Sequence, residues 1–174
     1  MRKLLFAFVA ASLAASPALA ALKVGDKAPD FATTGAVGGK EFKLHLAAQL
    51  KKGPVVLYFF PKAFTSGCTA EAHAFSQSIG EFKKAGAEVI GMSGDDLKTL
   101  HDFSTRECRS AFPVATATPV IQKEYDVAWA AHPGITTRTS YVIDRNGKIV
   151  MVHDDPDHSQ HVPLTLAAVQ ALKK

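Results

Sequence analysis

Residues 55–92 read VVLYFFPKAFTSGCTAEAHAFSQSIGEFKKAGAEVIGM, and this stretch decides the fold. Val55 to Phe60 is an unbroken β-branched and aromatic run, the pattern of a central strand buried on both faces. Pro61 ends it. Ala70 to Lys84 has helical composition, with Phe75, Ile79 and Phe82 at helical spacing, and Gly86 stops that helix. Glu88 to Met92 is a second buried strand. Strand, helix and strand in this order require a parallel pair joined by a right-handed crossover.

The flanks extend this unit. Asp95 to Cys108 is expected to be a second helix, with Leu97, Leu100 and Phe103 on one face. Pro119 to Val127 is a third. Ser140–Asp144 and Lys148–Val152 are joined by Asn146-Gly147, which predicts a hairpin with a type I′ turn. Val162 to Leu172 is a closing helix. On the N-terminal side, Phe42, Leu44 and Leu46 alternate with Lys43 and His45 and predict a short strand, and Val24–Phe31 is a loop. A βαβ unit followed by a hairpin and a helix is the thioredoxin-like α/β architecture: one domain, a central mixed β-sheet flanked by helices. Sites in such sheets lie where strands end and helices begin, so the loop after Phe60 is the place to inspect.

The chain has 174 residues, 47% hydrophobic and 21% charged, enough for one domain with a buried core and too apolar for a disordered chain. Residues 1–20, MRKLLFAFVAASLAASPALA, have a basic start, a short apolar run from Leu4 to Leu13, a helix break at Ser16-Pro17 and small residues at Ala18 and Ala20. This is the pattern of a secretory signal peptide. The mature domain is therefore expected to run from 21 to 174, in a periplasm or outside the cell, with no stable membrane insertion after cleavage. Arg2 and Lys3 account for half of the formal charge of +4; without them 18 basic residues face 16 acidic ones, leaving +2. That balance is too weak to suggest a nucleic-acid partner.

Export changes how the two cysteines, Cys68 and Cys108, are read. In an oxidising compartment two cysteines commonly pair, and closing this loop would stabilise the fold by about 4 kcal/mol in the chain-entropy account. The sequence around Cys68 points further. Cys68 falls at or inside the first turn of the helix that follows the central strand, where unpaired N–H groups and the positive dipole end favour a thiolate. A dithiol oxidoreductase of this fold would carry Cys-x-x-Cys here; this chain has Thr65-x-x-Cys68. One thiolate beside one hydroxyl suits attack on an O–O bond, with Thr65 and backbone N–H groups holding the peroxide.

Three stretches carry a family resemblance. Pro61-x-x-x-Thr65-x-x-Cys68 resembles the Pro-x-x-x-Thr/Ser-x-x-Cys motif of the peroxiredoxins. Arg138-Thr-Ser-Tyr-Val-Ile-Asp144 is similar to that family's Arg-x-Thr/Ser-Phe-Val-Ile-Asp strand, and Ala28-Pro-Asp-Phe31 to its N-terminal Ala-Pro-Asp-Phe. The resemblance covers nearly all of residues 22–172 and is nearest to the bacterioferritin-comigratory or Q type. It implies a thiol peroxidase in which Cys68 becomes a sulfenic acid. Thr65 would hydrogen-bond the thiolate and the peroxide. Arg138 would favour the thiolate and orient the peroxide oxygens, and Pro61 would shield the sulfur. Hydrogen peroxide or small organic hydroperoxides would be the substrates and a dithiol protein such as a thioredoxin the reductant. No metal, haem or flavin is implied, and the protein would be a monomer or a dimer.

Many Q-type members place a resolving cysteine five residues after the first, and here that position is His73. The resemblance leaves Cys108 to resolve Cys68, after local unwinding of the active-site helix, with a bystander thiol as the competing reading. Two other functions stand beside the peroxidase: a thioredoxin-like thiol–disulfide exchanger, and a non-enzymatic protein with a structural Cys68–Cys108 disulfide. His153, Asp154, Asp155, Asp157, His158 and His161 are expected in an exposed loop before the last helix. His73 is expected on a helix surface, Trp129 and Tyr125 in packing roles, and His132-Pro133-Gly134 in a turn beside the active site.

Overall fold

The computed structural model describes residues 22–173. The segment 1–20, read as an export signal, lies outside the described residues.

The strand–helix–strand unit forms as expected. β3 (Val55–Phe59) pairs in parallel with β4 (Glu88–Ser93) across the helix α2 (Ser66–Lys84). The helix starts four residues earlier than its composition suggested, because Thr65 adopts the extended conformation of an N-cap and the small Ser66 and Gly67 enter the first turn. Cys68 is thus the third residue of the helix.

Around this unit lie β1 (Ala32–Val37), β2 (Lys40–His45), β5 (Val114–Thr116), β6 (Thr139–Ile143) and β7 (Ile149–Asp154). Together they make one seven-stranded mixed sheet in the order β2-β1-β5-β4-β3-β6-β7. The sheet is flanked by α1 (Leu46–Leu50), α3 (Leu97–Arg106), α4 (Pro119–Glu124) and α5 (His161–Ala171). The thioredoxin-like α/β class is therefore correct. Among the described residues no helix is long and apolar enough to cross a membrane.

Alternation along β3 divides the core in two. Val56 and Tyr58, with Phe60 beyond the strand, face α2, α3 and α5, where Ala72, Phe75, Phe82, Leu100, Phe103 and Val169 pack against them. Val55, Leu57 and Phe59 face the other way, towards Leu46, Leu50, Ile121 and Tyr125. Both cysteines belong to the first layer.

Several local expectations needed correction. Leu46 does not extend β2 but opens α1. β1 and β5 were not expected: β5 is three residues long, and β1 (ATTGAV) lacks an apolar alternation and is held by neighbours on both sides. The helix expected to run to Cys108 ends at Arg106, with Cys108 in the turn beyond it. The hairpin does not use a type I′ turn. Asn146 is not left-handed; Gly147 is (φ 79°), and its N–H bonds the Asp144 carbonyl at 2.9 Å. Asp144 Oδ1 also accepts from the N–H groups of Asn146 and Lys148, so the aspartate sets the turn. Helix α4 stops at Glu124, before the left-handed Asp126 (φ 52°).

Candidate active site

Cys68 is 1% exposed, with its sulfur in the apolar layer and the first turn of α2 above it. The loop that delivers it is held at two points, Phe60 and Ala63. The Ala63 N–H and the Ser93 hydroxyl both donate to Asp95 Oδ2 at 2.8 Å, which ties the loop to the end of β4. The Thr136 hydroxyl donates to the Phe60 carbonyl at 2.8 Å. Phe64 is held left-handed (φ 63°), and its ring meets Phe103 of α3 edge-on at 5.2 Å with the Arg106 guanidinium above it at 5.1 Å.

Arg138, immediately before β6, is buried and not a solvated charge at a strand edge. Its fork has three destinations. Nη2 donates to Cys68 Sγ at 3.4 Å, Nε donates to the Pro156 carbonyl at 3.0 Å, and Nη1 forms an ion pair with Glu71. A planar guanidinium with fixed donors can serve all three at once, which a lysine cannot. Gly67 makes this possible: a Cβ there would lie 3.2 Å from Arg138 Nη2.

Glu71 was not among the residues the sequence singled out, and His161 was named only within a cluster expected in an exposed loop. Glu71 sits three positions after Cys68, on the same face of α2, and is completely buried. That spacing was the available signal: a carboxylate on an otherwise apolar helical face. Burial pushes its carboxyl up to about 8, against the downward pull of Arg138. His161 is also completely buried, which corrects the expectation that its whole segment is an exposed loop. Its Nδ1 lies 2.8 Å from the Ser140 hydroxyl and 3.8 Å from Glu71 Oε1, and its Nε2 lies 3.0 Å from the Asp155 carbonyl. Burial pulls the imidazole down to about 4, so the ring is neutral at physiological pH.

The other expected site residues are placed as follows. Thr65 caps α2 through its backbone, while its hydroxyl donates to the Lys62 carbonyl at 3.0 Å and makes no cap bond. Pro61 lines a cavity of about 400 Å³ together with Trp129, Thr137, Arg138, Asp154 and Pro156. Trp129 is 42% exposed at this mouth, so it is not the core residue it was expected to be; Tyr125 is. The His132–Gly134 turn sets His132 edge-on to Trp129, with ring centroids 4.4 Å apart.

Cys108 is fully buried, and burial raises its thiol well above the ordinary range, with the nearby Glu107 adding to the shift. Both cysteines are free. Arg109 and Ser110, which follow Cys108, are both left-handed (φ 52° and 56°). His73 is only partly exposed: its Nε2 lies 3.0 Å from Glu107, joining α2 to the turn that carries Cys108.

A thioredoxin-like sheet with a single thiol at the start of the helix after its central strand, gripped by a buried arginine, defines a thiol-dependent peroxidase rather than a dithiol exchanger. The similarities of the chain agree. The AhpC/TSA family profile matches residues 24–152. A chloroplastic peroxiredoxin Q of Sedum lineare is 35% identical over 127 residues, 72% of this chain and 68% of that protein. The crystal structure of peroxidoxin BcpB from Mycobacterium tuberculosis superposes with a TM-score of 0.79 at 28% identity, covering 88% of this chain and 99% of that one. Peroxiredoxin Q of Xanthomonas campestris gives 0.71 at 26% identity, covering 81% and 91%. The chain belongs to the AhpC/TSA family, and it is a peroxiredoxin with its likeness on the Q side of that family.

Proposed function

We propose that Cys68 is the residue that attacks the hydroperoxide and that Cys108 resolves the product. The observation that carries this reading is the 3.4 Å contact from Arg138 Nη2 to Cys68 Sγ at the N-terminus of α2. A fixed cation and a helix N-terminus both favour negative charge on that sulfur. The thiolate attacks one peroxide oxygen. The S–O bond forms as the O–O bond breaks, sulfur gives up two electrons, and the departing alkoxide or hydroxide takes a proton. Arg138 holds the negative oxygens, and the Thr65 hydroxyl, which donates to the Lys62 carbonyl in the resting site, turns to the peroxide. Pro61 limits water at the sulfur.

The Cys68 sulfenic acid then condenses with the Cys108 thiol, releasing water and leaving a disulfide. Both sulfurs are buried, so the first turn of α2 and the turn after α3 must open for them to meet. A dithiol protein of thioredoxin type returns both cysteines to thiols. The substrates are hydrogen peroxide and small organic hydroperoxides, whose organic group fits the wall of Pro61, Trp129 and Pro156. The reading of residues 1–20 as a signal peptide supports a periplasmic or secreted site of action, so the reductant belongs to that compartment.

The test is peroxide consumption with a dithiol donor in the wild type and in single-cysteine variants. Cys68→Ser should abolish consumption. Cys108→Ser should retain one fast turnover and lose the disulfide. Full activity in Cys68→Ser would overturn the assignment.

A further inference from the structure

The buried groups behind Arg138 present an unbalanced arrangement. The Asp155 carbonyl can only accept a hydrogen bond, so the His161 nitrogen facing it at 3.0 Å, Nε2, carries the ring proton. The neutral ring then offers Nδ1 as an acceptor, and the Ser140 hydroxyl at 2.8 Å donates to it. Glu71 Oε2 is paired with Arg138, while Oε1 has no hydrogen-bond partner although it is fully buried. Two acceptors, Nδ1 and Oε1, thus lie 3.8 Å apart on two fully buried side chains, beyond hydrogen-bond distance. An ionised carboxylate there would leave a charged oxygen unsatisfied, at a high desolvation cost. A proton on Oε1 removes the charge and with it most of that cost.

We propose that Glu71 stores the proton that keeps the buried site neutral through the Cys68 reaction. This rests on Cys68 being the residue that attacks the peroxide. Before attack the cluster holds the Cys68 thiolate, the Arg138 cation and a neutral Glu71, for a net charge of zero. After attack the sulfur is a neutral sulfenic acid. Glu71 then ionises, and the sum is again zero. In balance, Cys68–S⁻, ROOH and Glu71–COOH become Cys68–SOH, ROH and Glu71–COO⁻. The S–O bond replaces the O–O bond, sulfur loses two electrons, and one proton leaves the carboxyl as the alkoxide gains one, by way of solvent at the mouth. The carboxylate so formed draws Arg138 towards Glu71 when the sulfur no longer carries a charge.

The groups facing Glu71 agree with a single mobile proton. Arg138 approaches from the start of β6, permanently charged. His161 comes from α5, with His153 of β7 behind it at a ring separation of 4.5 Å. Tyr58 of β3 is fully buried and burial keeps its phenol neutral. Cys68 lies one turn back on the same helix. The upward push of burial on the Glu71 carboxyl is in the direction the store requires.

The experiment uses the Cys108→Ser protein, so that oxidation stops at the sulfenic acid. The reduced protein is mixed at neutral pH with hydrogen peroxide in weak buffer containing a pH indicator. Thiolate ultraviolet absorbance and dimedone labelling count the sulfur species. The expected result is one thiolate lost and one sulfenic acid gained with little proton uptake from solution. Adding Glu71→Gln, which keeps the neutral shape but cannot release a proton, should raise uptake to about one per sulfenic acid. Uptake of about one proton with Glu71 intact overturns the store but leaves Cys68 as the attacking residue. Absence of thiolate absorbance removes the charge to be balanced and overturns it equally. Absence of any sulfenic acid overturns the Cys68 reading itself.

Discussion

Arg138 and Cys68 lie 70 residues apart in sequence, and Nη2 of one donates to Sγ of the other at 3.4 Å. The contact exists because β6 is antiparallel to β3, with Phe59 opposite Thr139. The residue before β6 therefore meets the start of the helix that follows β3. Replacing Arg138 by Lys keeps a charge but loses the fork that reaches Sγ, Glu71 and the Pro156 carbonyl together. The rate of Cys68 oxidation should fall by about a hundredfold, the scale of a lost oxyanion donor. Stopped-flow measurement of thiol loss checks this.

Glu71 and His161, both buried, act on stability with opposite signs. Glu71 is raised in the fold from 4.5 to about 8, so its contribution is complete below 4.5 and is lost as pH rises towards 8. His161 is lowered from 6.5 to about 4, so its contribution is present above 6.5 and is lost as pH falls towards 4. The two partly cancel between 4.5 and 6.5. Above 6.5 His161 no longer contributes, and the share of stability that comes from Glu71 should decline by about 2 kcal/mol between pH 6.5 and 8. Glu71→Gln should flatten that decline in denaturant melts taken across the same range.

Trp129 stands 42% exposed at the mouth lined by Pro61, Arg138 and Pro156. Trp129→Ala should lower the ratio of kcat/KM for cumene hydroperoxide over hydrogen peroxide by about tenfold, corresponding to about 1.4 kcal/mol of lost apolar contact. Parallel kinetics with the two substrates measure the ratio directly.

His73 holds Glu107 at 3.0 Å, next to Cys108. The proposed Cys68–Cys108 disulfide requires the first turn of α2 and that turn to open. His73→Ala should therefore speed the step from sulfenic acid to disulfide by about fivefold, the equivalent of about 1 kcal/mol for a partly exposed pair. Rapid quench with mass analysis resolves that step from the first oxidation.

The sequence was most legible where local chemistry alone decides structure. The run from Val55 to Phe60 is apolar at every position, which only a strand covered on both faces can use, and Thr65-x-x-Cys68 places one thiol at the helix start. Arg138 was legible through its motif. Glu71 and His161 were not, because a polar side chain is buried only by tertiary partners: Arg138 for the first, Ser140 and the Asp155 carbonyl for the second. β1 and β5 were hidden for a similar reason, since a strand of three residues and one without alternation exist only through their neighbours. The turn at Gly147 follows from Asp144, whose carboxylate holds two N–H groups and overrides the preference of Asn-Gly.

The most direct test of the account is a single turnover. The reduced protein receives one equivalent of hydrogen peroxide, and intact mass is followed together with the rate of thiol loss. The account predicts loss orders of magnitude faster than for free cysteine, ending with two hydrogens removed and a Cys68–Cys108 bridge. Reaction no faster than free cysteine would contradict it.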